Sequence, residues 1–424
     1  MLMIFHSFNN PYTTLKQVMP TSQEILSQDE IKACLNGKND FPGTVPWPRL
    51  EEREIGGDFW FCCWIKKEFG TVRKNSTTSF LNLWNDLNAI EIRNDFVQGN
   101  YFQNCPKDCV GFVNHHTGYY DYSEEEFASF SPVFRTNLSK VARMIRDKQT
   151  HVDAMPIRLK LHPTRICNLR CPMCNVHSAT TEEIGEAYRQ TIDTMIPYLN
   201  DLNIFGGEPF FCKLSREMIF GDEIKKSPHV HISTVTNGTM INPQTLERLT
   251  ELRLGQFIFS IDSLHPEVYQ KIRVRAKFDT VMDNLLRFIK FRDEGKLRIH
   301  HIGLSCTIQK LSYHEIPDIV EFCHKHAIGV NFSLIFGTSE LYKHIPAVVE
   351  SVKQGITLAE QYREDVIANR LKSILEQIPQ YESSLKSLLW TDQTLSLLGK
   401  HRVMLFFQKH QWPKRLVKKM LRIS

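Results

Sequence analysis

Three cysteines, Cys167, Cys171 and Cys174, follow one another with three and two residues between them. They come just after an apolar, strand-like run, and a loop of this length can wrap three thiolates around one metal centre. A cubane iron–sulfur cluster takes four ligands, so three cysteines leave one iron with a free coordination position. The spacing therefore predicts a metal centre that can bind a further molecule.

Two other arrangements use the same cysteines. Zinc accepts three thiolates and one imidazole at short spacings, and His177 follows Cys174 closely enough to complete such a site. Alternatively, the three cysteines are buried and inert, since free cysteine often behaves as a small apolar residue. The spacing by itself leaves all three interpretations open.

The chain around and after the cysteines alternates between strand-like and helix-like segments. Apolar or alternating runs predict six strands, at 157–161, 202–205, 230–236, 257–262, 302–308 and 330–335. Capping boxes are expected to begin two of the helices, at Thr180 to Glu183 and at Ser312 to Glu315. Another helix is expected to bury a face formed by Phe278, Val281, Met282, Leu285, Leu286 and Ile289. This alternation predicts an α/β fold with a parallel sheet of βα units.

Polar motifs stand where the predicted strands end. Parallel βα sheets bind ligands at the carboxyl ends of their strands. Gly206 and Gly207 would let the backbone approach a ligand closely, and Glu208 offers an anionic acceptor. Ser260 and Asp262, two residues apart on one strand, are expected to share a face and meet a polar ligand. The alternative for Asp262 is that it caps the following helix.

Together these motifs resemble the radical S-adenosylmethionine (SAM) superfamily. The resemblance implies a partial (β/α)6 barrel, with a [4Fe-4S] cluster held by Cys167, Cys171 and Cys174 and SAM bound at the free iron. It implies an enzyme that cleaves SAM reductively to a 5′-deoxyadenosyl radical, which abstracts hydrogen from a peptide, sugar or small metabolite. Residues in matching positions for SAM contact are Met173, Gly206, Gly207, Glu208, Asn237, Ser260, Asp262 and Arg273.

The resemblance also implies a one-electron donor such as flavodoxin or ferredoxin. The substrate itself is not indicated by any motif. A non-catalytic scaffold, with zinc in the cysteine sites, is the competing class of protein. Because cofactors do the difficult chemistry in such enzymes, the two classes differ first in the metal that they contain.

The first 130 residues contain five of the eleven cysteines. Val45-Pro46-Trp47, Cys62-Cys63 and the Cys105–Cys109 pair resemble a twitch domain, the shortened form of the SPASM domain, which carries auxiliary iron–sulfur clusters. The ligands implied by this resemblance are Cys34, Cys62, Cys105 and Cys109. Gly43 stands where relatives usually have a cysteine, so an auxiliary cluster, zinc and no metal all remain open.

The predicted organisation has four parts. They are a small α+β twitch/SPASM-like domain at 1–130, a helical linker at 131–152, the barrel at 153–340, and a helical C-terminal extension with a basic tail at 341–424. At 424 residues and 42% hydrophobic content, the chain is large enough for two substantial cores. The net charge of +5 is too small to predict binding to nucleic acid.

Localisation is predicted from what the chain contains. No run approaches the length that spans a bilayer, and the first residues lack a signal-peptide architecture. Cluster-binding thiolates need a reducing compartment, so the cytoplasm is expected. The tail after Asp392 carries cations but no acids, which suits a membrane-surface helix, an acidic partner, or a solvated helix packed on the barrel.

Overall fold

The computed structural model of the protein describes residues 25–35, 49–52, 59–61, 82, 84–105, 122–174, 183–336 and 338–386. For residues 49–52 and 59–60 the description covers the backbone alone. Several predicted features lie outside these ranges: Cys62, Cys63, Cys109, His177 and the basic tail. The full auxiliary ligand set and the Cys3His zinc site are therefore not tested by the fold.

Eight strands form one sheet in the described part of the chain. They are β1 (Arg49–Glu52), β2 (Phe59–Trp60), β3 (Arg158–Leu161), β4 (Asp201–Ile204), β5 (His231–Thr236), β6 (Arg253–Ser260), β7 (Arg298–Ile308) and β8 (Gly329–Leu334). Strands β3 to β8 are parallel, and each pairs with the next along the chain. The prediction of six parallel strands in an α/β fold is confirmed.

Helices connect and flank the strands. Before the six-stranded part lie α1 (Gln28–Leu35), α2 (Leu87–Val97), α3 (Tyr101–Asn104), α4 (Glu124–Ser129) and α5 (Pro132–Arg146). Between the parallel strands lie α6 (Glu186–Asp193), α7 (Lys213–Phe220), α8 (Asp222–Lys225), α9 (Pro243–Leu249), α10 (Pro266–Ile272), α11 (Phe278–Asp293) and α12 (Ile316–Lys325). After the last strand come α13 (Ile345–Gln361) and a helix over 365–386. No helix in the described ranges is long and apolar enough to cross a membrane.

The N-terminal part of the chain contributes to the same sheet. Strand β1 runs parallel to β3, with Leu50 opposite Leu159, and β2 pairs with β1 in the antiparallel direction. The order of the strands is therefore β2-β1-β3-β4-β5-β6-β7-β8. The predicted domain boundaries, including a separate twitch/SPASM-like domain at 1–130, remain predictions.

The two faces of the sheet differ in chemistry. In β6, Phe257 and Phe259 are fully buried, whereas Gln256, Ile258 and Ser260 on the other face are half-buried. The alternation follows from the two-residue period of a strand. The apolar face packs on helices, because Phe257 and Phe259 both contact Phe288 of α11. The more polar face is left for other contacts.

The predicted buried face of α11 is partly wrong. Leu286 is 40% exposed, while Phe288 is completely buried. Together with Val281, Leu285 and Ile289, Phe288 forms a stripe at the spacing of one helical face. Leu286 lies about 100° away from Leu285 around the helix, so it cannot share that stripe.

The two predicted capping boxes are not formed, although one of the predicted helix starts is correct. Thr180 lies outside the described residues, and Ser312 precedes a 3-10 turn, Tyr313–Glu315, that leads into α12. Helix α6 starts at Glu186 with Gly185 as its N-cap, and Glu183 instead forms an isolated bridge with Thr164. The Ser312 side chain caps nothing, and the buried Glu315 carboxylate accepts hydrogen bonds from Ser263 Oγ and the Leu264 N–H. Tertiary partners therefore replaced the local bonds that the sequence pattern indicated.

Two substitutions on α11 test which face is buried. We expect Phe288→Ala to lower the free energy of unfolding by about 3–5 kcal/mol, because it leaves a cavity between Phe257 and Phe259. Leu286→Ala, two residues away, should change it by only about 0.5 kcal/mol, as is usual for exposed positions. Urea denaturation of both variants measures the difference, and equal losses would contradict the assignment.

Candidate active site

The three cysteines lie in the loop that follows β3, at the carboxyl edge of the sheet. Cys171 is buried, and Cys167 and Cys174 are partly exposed. The loop closes on itself through a hydrogen bond from the Cys174 N–H to the Cys171 carbonyl, 3.0 Å long. The Leu169 N–H points at Cys167 Sγ, with 3.4 Å between nitrogen and sulfur.

The thiols are held in a partly dry environment. Burial raises the pKa of Cys167 to about 11 and also raises the pKa of Cys171. Thiolates bind metals, so a metal must displace these protons. Within the described ranges, no three His, Cys, Asp or Glu side chains are grouped in a way that would hold a single metal ion.

The turn after β4 packs directly on the cysteine loop. Gly206 and Gly207 have positive φ angles of 91° and 56°. A Cβ atom on Gly207 would lie 2.1 Å from the carbonyl oxygen of Ile166. The next residue, Glu208, donates its N–H to that same carbonyl at 2.8 Å. Only glycine permits this approach, so the Gly-Gly pair fixes the position of the loop.

Glu208 joins the turn after β4 to the turn after β5. Its carboxylate accepts hydrogen bonds from Thr236 Oγ1 at 2.6 Å, the Asn237 N–H at 2.7 Å and the Phe210 N–H at 3.3 Å. The side chain is buried, and this burial raises its pKa to about 7. Sequence reasoning expected an acceptor for a ligand, whereas three donors of the protein already use this carboxylate.

Asn237 connects the turn after β5 to the cysteine loop. Its Nδ2 donates to Asn168 Oδ1 at 2.9 Å and lies 3.9 Å from Cys167 Sγ. Asn168 in turn donates to Thr239 Oγ1 at 2.8 Å. Asn168 was not singled out from the sequence, although its place between the first two cysteines was a usable signal. The predicted turn at Asn237 is therefore part of the same site.

Asp262 is fully buried and forms an ion pair. Its Oδ2 accepts from Arg273 Nε at 2.5 Å, and its Oδ1 accepts from the Thr307 N–H at 2.8 Å. The following helix starts at Pro266 with His265 at its N-cap, so the helix-capping alternative for Asp262 is wrong. The Arg170 N–H, next to Cys171, donates to the Val274 carbonyl, next to Arg273, at 3.0 Å. The Arg273 guanidinium is near enough to oppose the rise that burial causes in the pKa of Cys171. Both residues therefore lie beside the cysteine loop.

The remaining predicted residues are placed as follows. Ser260 is the last residue of β6, in register with Ser305 of β7, and is half-buried. Met173 is partly buried and packs against the core. Cys34 and Cys105 are buried cysteines in the N-terminal part, and burial raises the pKa of Cys34. Their proposed partners Cys62 and Cys109 lie outside the described residues.

The class of protein follows from the motifs, the six parallel strands and a family comparison. Residues 161–323 match the family model of the Radical SAM superfamily. This segment contains the three cysteines, the Gly-Gly-Glu turn and strands β4 to β7. Residues 161–323 are therefore a radical SAM domain, the catalytic domain of radical SAM enzymes, which use a [4Fe-4S] cluster and SAM.

Named relatives are similar to parts of this chain. A probable GTP 3′,8-cyclase of Methanococcus maripaludis is 26% identical over 229 residues, which cover 52% of this chain and 72% of that protein. A probable GTP 3′,8-cyclase of Methanocaldococcus jannaschii is 29% identical over 173 residues, covering 39% and 54%. The Pyrococcus furiosus tungsten-containing aldehyde ferredoxin oxidoreductase cofactor-modifying protein is 26% identical over 188 residues, covering 42% and 50%.

Solved structures resemble the chain more distantly. Streptococcus suis SuiB bound to S-adenosylmethionine superimposes with a TM-score of 0.40 and 15% identity. The superposition covers 64% of this chain and 60% of SuiB. Native anSMEcpe with bound AdoMet gives a TM-score of 0.37 and 15% identity, covering 51% of this chain and 63% of that protein. The chain thus spans less than two thirds of either structure.

A matched pair of glycine substitutions tests the contact between the turn and the cysteine loop. Gly207 and Gly295 both have positive φ angles, but only Gly207 faces backbone atoms, since nothing lies within 4 Å of a Cβ on Gly295. We expect each alanine variant to lose about 1–2 kcal/mol of stability from the left-handed backbone. Gly207→Ala should lose about 1–3 kcal/mol more from overpacking. Equal losses in urea denaturation would show that the close contact is not a constraint.

The buried Glu208 carboxyl should make stability depend on pH. Its folded pKa of about 7 lies above the value of about 4.3 for an exposed glutamate. The folded state then binds the proton more tightly, so the free energy of unfolding falls as pH rises from the lower to the higher value. We expect the wild type to lose about 3 kcal/mol over that range relative to Glu208→Gln, which cannot ionise. Denaturation of both metal-free proteins across this range measures it, and parallel pH profiles would contradict the assignment.

Proposed function

We propose that this chain is a radical SAM enzyme in which Cys167, Cys171 and Cys174 hold a [4Fe-4S] cluster. The observation that carries the proposal is the cysteine loop fastened to the Gly206-Gly207-Glu208 turn at the carboxyl edge of the parallel sheet. The bound cluster would supply the electron that cleaves SAM to methionine and a 5′-deoxyadenosyl radical, which abstracts hydrogen from the substrate. The protein's own residues bind, orient and shield these groups.

The donors around the cysteines fit an anionic sulfur centre. Cys167 Sγ receives the Leu169 N–H and lies near Asn237 Nδ2, and the positive Arg273 guanidinium lies near Cys171. Hydrogen bonds to a charged group favour that charged form. These donors therefore offset part of the cost of burying thiolates, which an inert set of cysteines would not require.

The proposed SAM pocket adjoins these donors. Gly206 and Gly207 offer backbone without side chains, and Met173 offers a polarisable surface suited to a ring. Ser260 supplies a half-buried hydroxyl at the end of β6. Further polar groups in the proposed set are Asn237, Asp262 and Arg273. Glu208 would act by positioning its turn, because three protein donors already occupy its carboxylate.

Radical SAM enzymes need a reductant and a substrate. We propose flavodoxin or ferredoxin as the class of electron donor and the cytoplasm as the compartment. The substrate would be a peptide, sugar or small metabolite, and GTP is the first compound to test because two relatives are named for it. A second cluster on Cys34, Cys62, Cys105 and Cys109 would be auxiliary.

Metal content after anaerobic purification separates this enzyme from a zinc scaffold. We expect about four iron and four sulfide ions per chain for the proposed cluster, and more if the auxiliary site is filled. Replacing Cys167, Cys171 and Cys174 together by alanine should remove the first cluster and abolish formation of 5′-deoxyadenosine. We expect this loss because SAM is proposed to bind at the cluster that those three cysteines hold. Elemental analysis, sulfide assay and chromatography of the products measure these outcomes.

Two controls make the result specific. Cys323→Ala removes a fully buried thiol of α12, remote from the loop in sequence, and should keep the iron. Replacing Cys62, Cys105 and Cys109 by alanine should lower iron content but retain some cleavage of SAM. Stoichiometric zinc without sulfide, or 5′-deoxyadenosine from the Cys167, Cys171 and Cys174 variant, would overturn the proposal.

A further inference from the structure

An ion pair lies directly beside one of the proposed cluster ligands. Arg273 Nε and Asp262 Oδ2 are 2.5 Å apart, with the aspartate fully buried and the arginine side chain 14% exposed. The backbone bond of 3.0 Å from the Arg170 N–H to the Val274 carbonyl holds the segment of Arg273 against the cysteine loop, next to Cys171. The ion pair therefore lies beside a proposed ligand sulfur.

The ion pair places one positive and one negative charge near Cys171, so the net charge of the pair is zero. Asp262 is held independently of the arginine, since its other oxygen accepts the Thr307 N–H at 2.8 Å. Charges separated by a few ångströms in a poorly solvated site interact much more strongly than in water. Loss of either partner would therefore leave an uncompensated charge close to the sulfur.

No other group considered near Arg273 takes over the role of Asp262 in balancing its positive charge. The Glu208 carboxylate is engaged by Thr236, Asn237 and Phe210. The Tyr269 hydroxyl is buried, uncharged and without a hydrogen-bond partner in the structure. Among these neighbours, Asp262 is thus the carboxylate paired with Arg273.

We propose that Asp262 and Arg273 form a charge-balanced pair that sets the reduction potential of the centre at Cys171. Arg273 places its positive charge beside the ligand sulfur, and Asp262 is a positioning residue that orients and neutralises the arginine. The inference rests on the proposed [4Fe-4S] cluster. Hydrogen bonds to the sulfurs and local charge are among the factors that set cluster potentials.

The pair predicts shifts of opposite sign. Asp262→Asn leaves a positive charge beside the cluster, which favours the added electron, so the midpoint potential should rise. Arg273→Met leaves a negative charge, so the potential should fall. The double variant should lie between the two single variants, because it removes both charges together. Anaerobic redox titration of the iron-loaded proteins without SAM, followed by electron paramagnetic resonance, measures the potentials.

A third variant distinguishes the loss of the positive charge from a general disruption of the fold. Arg273→Lys keeps the charge but lacks the planar fork that reaches two acceptors at once. It should lower the potential less than Arg273→Met does. Glu294→Gln, in an exposed cluster with Lys290 and Lys296, is the control and should leave the potential unchanged.

The outcomes separate this inference from the function on which it rests. Wild-type protein without iron and sulfide would overturn the proposed function itself. A normal cluster whose potential is unmoved by the changes, or moves in the same direction for Asp262→Asn and Arg273→Met, would overturn the charge-balanced pair alone. An Arg273→Lys shift as large as that of Arg273→Met would also overturn it, since charge would then not be the cause.

Discussion

The geometry of the site depends on the absence of one carbon atom at Gly207. The Ile166 carbonyl occupies the space where a Cβ would stand, and the Glu208 N–H bonds to that same oxygen. This contact sets the distance between the loop after β3 and the turn after β4. The Glu208 carboxylate then ties in the turn after β5 through Thr236 and Asn237. These contacts thus hold the ends of three adjacent strands, β3, β4 and β5, together beside the cysteine loop.

The sheet was predictable because its signal is local. Apolar runs such as Ile302–Ile308 must lie in strands if their alternate residues are to be buried, and the structure places them in β7. The errors arose where a distant partner decided the outcome. Glu315 bonds Ser263, which lies 52 residues away, instead of capping its own helix. Leu286 and Phe288 are both apolar, and only the packing of α11 on β6 decides which one is buried.

The residues of the candidate site also fall into two groups: those that a local sequence signal identifies and those whose role depends on a distant partner. The cysteines and the Gly-Gly-Glu turn are continuous in sequence and could be identified from spacing. Asn168 stands between the first two cysteines but was missed, because its role comes from contacts with Asn237 and Thr239, which are 69 and 71 residues away. For Asp262 the sequence offered both a ligand contact and a helix cap, and the structure shows an ion pair with Arg273. A periodic sequence pattern does not encode which side chains of separate elements pair with each other.

The pairing of β1 with β3 also affects how the sheet ends. An open parallel sheet exposes unpaired N–H and C=O groups along its outer strand, which can template association with another chain. Here β1 covers β3, and the strand beyond it, β2, is only two residues long and antiparallel. So short a strand offers few unpaired groups to a second molecule. Among the described residues, the N-terminal segment therefore leaves this edge of the sheet with few unpaired backbone groups, whether or not it also carries a metal.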